Sequence, residues 1–76
     1  MKDVEISREP IELFKLLKFE GLASSGGEAK ALIAEGRVLL NGVVETQKRK
    51  KLVSGDCIQL GETKLKLTLI DSPAQP

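Results

Sequence analysis

The sequence predicts an α+β domain in which two helices pack on a small, mainly antiparallel twisted sheet. Three observations predict it. Residues 10–19 and 25–36 carry apolar side chains at helical spacing, residues 3–7 and 64–69 alternate apolar with polar side chains as half-buried strands do, and an Asn41-Gly42 pair interrupts an apolar, β-prone run. With 76 residues, 41% hydrophobic and 30% charged, the chain fits one domain with one core. That domain is expected to span residues 1–71, followed by a flexible C-terminal tail at 72–76.

Val4 and Ile6 alternate with Asp3, Glu5 and Ser7, a short strand pattern. From Pro10 the period changes: Ile11, Leu13, Phe14, Leu16 and Leu17 make a broad apolar face, with Glu12, Lys15 and Lys18 outside it. Pro10 suits a first helical turn, so a helix is expected from Pro10 to Phe19, stopping near Gly21. Phe14 and Phe19 are the only aromatic residues, and both are expected in the core beside the leucines. Ser25 and Glu28 have the spacing of a capping box, in which each side chain satisfies a free backbone N–H at a helix start. The second helix that begins there turns Ala29, Leu32 and Ile33 inward, and Gly36 suits the left-handed conformation that closes a helix. The short connection between the two helices makes them packed neighbours.

Arg37 to Leu40 and Val43-Val44 flank Asn41-Gly42, the pair best able to adopt the positive φ angles of a tight type I′ turn. Glu45 to Lys51 is polar and basic. Its four consecutive cations, Lys48-Arg49-Lys50-Lys51, cannot all face one way on a strand, so a loop that follows a phosphate backbone is expected. Leu52-Val53 leads into a Ser54-Gly55-Asp56 turn, Ile58 and Leu60 suggest a strand, and Gly61-Glu62 turns the chain again. Leu65, Leu67 and Leu69 alternate with Lys64, Lys66 and Thr68 in a final half-buried strand whose outer lysines discourage edge pairing.

Composition narrows the function. Cys57 is the one cysteine and there is no histidine, which excludes an intramolecular disulfide and a Cys/His zinc site and removes the commonest general base near neutral pH. No catalytic residue, no metal site and no cofactor are expected, and Cys57 reads as a small apolar residue in a strand. The charged start MKDVEIS and the absence of a long apolar run point to a cytoplasmic protein with no membrane partner. The formal net charge of +1 conceals an asymmetry: residues 37–51 hold Arg37, Lys48, Arg49, Lys50 and Lys51 against Glu45, whereas residues 1–36 hold five basic and seven acidic groups. An anionic partner that touches the basic segment is implied.

In order, the run from Gly21 through Ser25, Ala29, Leu32, Ile33, Gly36, Val38 and Asn41 to Gly42, followed by Gly55-Asp56-Cys57-Ile58, resembles the S4 RNA-binding domain. The chain is most similar to small stand-alone bacterial S4-like proteins of the YbcJ type. The resemblance implies the S4-like (αL motif) fold, and a non-enzymatic monomer that docks structured RNA, ribosomal or transfer RNA, with ribosome association, on the second helix and the following hairpin and loop. Many S4 domains carry one or two arginines directly after the helix-starting serine; Gly26 and Gly27 stand there in this chain. Two glycines at a helix N-terminus leave its free N–H groups open to a phosphate.

The expected RNA-binding residues are Lys18, Ser25, Gly26, Gly27, Lys30, Arg37, Asn41, Lys48, Arg49, Lys50 and Lys51. Lys18 and Arg37 depend on lying beside the second helix. Asn41 is first a turn former, and Ser25 first a helix cap. Without Tyr or Trp and with both Phe expected inside, phosphate charge and shape are expected to dominate recognition. The alternative is a protein-interaction or assembly module that uses the same basic face against an acidic partner.

Overall fold

The computed structural model describes residues 1–70. Residue 71, the last of the expected domain, and the expected tail at 72–76 lie outside the described residues. In chain order the elements are β1 (Lys2–Ile6), β2 (Ile11–Glu12), α1 (Leu13–Phe19), α2 (Gly26–Ala34), β3 (Val38–Leu40), β4 (Val43–Val44), β5 (Lys51–Leu52), β6 (Cys57–Leu60) and β7 (Thr63–Leu69).

The larger sheet runs β1-β7-β6-β3-β4. All its pairings are antiparallel except β1 with β7, where the first and last strands lie parallel with Val4 opposite Leu67. Period-two alternation puts Val4, Ile6, Val38, Ile58, Leu65 and Leu67 on the face against the helices, where each is buried. The helices answer with Leu13, Leu16, Leu17, Ala29 and Ile33, and Leu52 of β5 completes the core. Among the described residues no polar or charged side chain is buried. The β3–β4 hairpin turns at Asn41-Gly42, with φ of 52° and 85°, the double positive pair of a type I′ turn. Gly36 closes α2 at φ 77°.

Four expectations are corrected. Ile11-Glu12 is a strand paired antiparallel with Lys51-Leu52, and the helix starts at Leu13 instead of Pro10. The carbonyls of Lys50 and Lys48 accept the N–H groups of Leu13 and Phe14 at 2.9 and 3.1 Å, so the basic segment caps α1 from outside the helix. Lys51 accordingly belongs to a strand, and only the residues before it form the expected loop.

The phenylalanines are not core residues. The single buried stripe of the seven-residue α1 is filled by Leu13, Leu16 and Leu17. At 3.6 residues per turn Phe14 and Phe19 fall roughly 110° to either side of it. Phe14 is consequently half-buried, and Phe19 is 77% exposed. Leu32 sits only half-buried at the edge of the core, while its neighbour Ile33 is fully enclosed.

Candidate nucleic-acid interface

The N-terminus of α2 is built by the expected cap. Ser25 Oγ accepts the N–H of Glu28 at 3.0 Å, and the Glu28 carboxylate accepts the N–H of Ser24 at 2.5 Å, one residue earlier than a reciprocal box would place it. The Ser24 backbone bond, followed by a bond from the Ser24 side chain, holds the Glu28 carboxyl below its ordinary value of 4.5 against a small opposing desolvation. Among the described residues the N–H groups of Gly26 and Gly27 find no acceptor.

Gly26 adjoins Phe14: a Cβ there would stand 3.7 Å from the ring carbon Cε2. Around that ring three cations from three segments converge. Lys30 Nζ of α2 lies 4.7 Å from the ring centroid, Arg49 Cζ of the basic loop 5.6 Å and Lys15 Nζ of α1 5.9 Å, all within cation–π range. Glu12 ties two of them together, with Lys15 Nζ 3.3 Å from Oε1 and Arg49 Nη1 3.9 Å from Oε2. Glu12 Oε1 is shielded from solvent and makes no hydrogen bond, so the Lys15 ammonium is its compensation. Beyond the ring an open depression of about 510 Å³ is lined by Phe14, Lys15, Lys18, Phe19 and Gly26.

Of the expected site residues, Lys18, Ser25, Gly26, Gly27, Lys30 and Arg49 therefore gather at the junction of α1, α2 and the basic loop. Lys48 and Lys50 flank Arg49 there; Lys48 is exposed and Lys50 half-buried. Arg37 lies elsewhere. It pairs with Glu35 at 3.8 Å and borders a different depression with Leu22, Leu32 and Leu60. Asn41 spends both amide atoms inside the fold, donating to Asp56 Oδ1 at 3.1 Å and accepting the Cys57 N–H at 2.9 Å. Sequence reasoning missed Lys15, Phe14 and Phe19. The signal was available in spacing: Phe14 with Lys18 and Lys15 with Phe19 are both i,i+4 pairs and stand side by side on one helix surface. Among the described residues no cluster of His, Cys, Asp or Glu can hold a metal ion, and no helix is long and apolar enough to cross a membrane.

Two helices packed on a hairpin-bearing sheet, with cations gathered where the second helix begins, define the helix-and-hairpin class that S4 domains typify. The chain belongs to the S4 domain family, whose model matches residues 4–68. It is 46% identical over 59 residues to YbcJ of Escherichia coli (strain K12), covering 76% of this chain and 84% of that protein. It is 33% identical over 57 residues to the probable ribosome maturation protein RlbA of Bacillus subtilis (strain 168), covering 75% and 80%. The solution structure of E. coli YbcJ, said to reveal an αL motif involved in RNA binding, superposes with a TM-score of 0.68 at 39% identity, over 90% of this chain and 87% of that one.

Proposed function

We propose that this protein is a non-enzymatic RNA-binding module that recognises structured RNA through the face formed by α1, the start of α2 and the basic loop. The observation that carries the reading is the convergence of Lys15, Lys30 and Arg49 on Phe14, which makes one cationic surface from three separate segments. Membership of the S4 family and the RNA-binding motif described for YbcJ support it. The ribosome maturation role in the name of RlbA favours ribosomal RNA over transfer RNA as the class bound. Cations spread over such a face match the phosphates of a folded RNA better than those of an extended strand. Gly26 and Gly27 offer backbone N–H donors where arginines are common in the family. Lys18, Lys48 and Lys50 extend the face, Ser25 orders it, and Arg37 and Asn41 bound the adjoining hairpin side. The module acts as a cytoplasmic monomer.

The test is competition at matched charge. A folded ribosomal RNA fragment should displace an acidic polypeptide of equal charge from the protein. The reverse order of affinities would replace RNA with an acidic protein partner.

A further inference from the structure

Phe19 is 77% exposed on a helix whose three leucines are fully buried, and it stands across an open depression from the half-exposed Phe14. Exposed aromatic surface of this kind marks a contact site when polar groups rim it. The rim here is entirely cationic: Lys15 and Lys18 are the remaining side chains of the depression, and no carboxylate lines it. Helical spacing sets Phe14 and Lys18 in one i,i+4 row and Lys15 and Phe19 in the next, so aromatic and ammonium corners alternate around the floor. A neighbouring depression provides the contrast. It borders the other side of Phe19 with Ile6, Pro10 and Ile11, but carries Glu5 and Glu12 as well as Arg8 and Lys15, so it shows no preference for an anion.

A ligand that fits alternating aromatic and ammonium corners brings a flat π face and negative charge together. An apolar peptide side chain has no use for the cations, and a duplex keeps its bases stacked inside and offers phosphates alone. An unpaired nucleotide supplies both. We infer that the depression between Phe14 and Phe19 receives an unpaired nucleobase, so that the protein selects RNA helices interrupted by a bulge or loop over uninterrupted duplex. This deepens, and rests on, the RNA-binding reading above. Phe19 is the stacking surface for the base, Phe14 bounds the depression on the other side with its ring engaged by Lys30, Arg49 and Lys15, and Lys15 and Lys18 rim it toward the flanking phosphates. With Phe19 exposed, recognition on this proposal adds a stacking contact to the phosphate charge and shape expected from the sequence.

The experiment compares a plain RNA duplex with the same duplex carrying one bulged fluorescent adenine analogue. The unmodified protein should prefer the bulged RNA about 5- to 150-fold, the equivalent of one base–aromatic stack of about 1–3 kcal/mol. The analogue's emission should be quenched on binding. Phe19→Ala, at an exposed position, should keep the unmodified protein's melting temperature but lose most of the preference and the quenching. Phe19→Trp should retain both. Equal affinity for the two RNAs, or a preference that survives Phe19→Ala, would overturn the nucleobase site and leave RNA binding standing. Failure to bind either RNA would overturn the RNA reading itself, and this site with it.

Discussion

Glu28 serves the fold and opposes the proposed phosphate contact at the same point. Its carboxylate accepts the Ser24 N–H and fixes the start of α2, yet it sets a negative charge beside the free N–H groups of Gly26 and Gly27. The folded-state pKa lies below the ordinary 4.5 because the Ser24 bonds favour the charged form. A depressed carboxyl pKa means that the stabilisation is complete above the unfolded value and disappears as pH falls through the folded one. Glu28→Gln keeps an acceptor for Ser24 and removes only the charge. The variant should therefore be less stable than the unmodified protein in urea at neutral pH, and the two should converge in acid, well below the ordinary value. Its affinity for RNA should rise, since a repulsive charge has left the interface. The Ser25/Glu28 spacing made this cap legible in the sequence, because capping is local chemistry written within four residues. The roles of Phe14 and Phe19 were not legible. A short helix has room for one buried stripe, and which residues fill it depends on the angle at which it meets the sheet.

Among the elements, α2 and the hairpin follow from local signals, and α1 does not. Asn41-Gly42 carries its own turn geometry, and Leu65, Leu67 and Leu69 carry their own alternation. The start of α1, by contrast, is set by carbonyls of Lys48 and Lys50 that arrive from far along the chain. No local spacing records that. The same holds for the parallel pairing of β1 with β7, which joins opposite ends of the sequence. How deeply α2 sits on the sheet separates two adjacent residues that sequence reading treats alike. Ile33 is fully enclosed and Leu32 is half-buried at the margin. Ile33→Ala should cost about 2–5 kcal/mol, as truncation in a close-packed core does. Leu32→Ala should cost clearly less, because solvent and mobile neighbours fill the space it vacates. Chemical denaturation of the two variants checks the order. Equal losses would mean that Leu32 is enclosed to the same depth as its neighbour.

At the scale of the whole molecule, a net charge of +1 gives no long-range attraction to RNA, so binding depends on how that charge is distributed. The sequence reveals the basic run at residues 48–51 but hides Lys15, Lys18 and Lys30 inside a half with more acidic than basic groups. Folding brings the two sets together, and because screening limits each charge to about 8–10 Å, only the cations on that face count. If four or five of Lys15, Lys18, Lys30, Arg49 and Lys48 each neutralise about one phosphate, log affinity should fall against log salt with a slope of about −3 to −4.5. Raising salt from about 50 to 200 mM should then weaken binding roughly 60- to 500-fold. Reversing Lys30 and Arg49 together to Glu removes two of those contacts and should make the slope shallower by about 1.4–1.8. Reversing Arg37, which lies away from the face, should leave it nearly unchanged. Titration of a folded ribosomal RNA fragment across this salt range measures all three slopes. An unmodified slope shallower than about −1.5 would mean that the gathered cations are solvated surface, and an acidic protein partner would become the better account of this face.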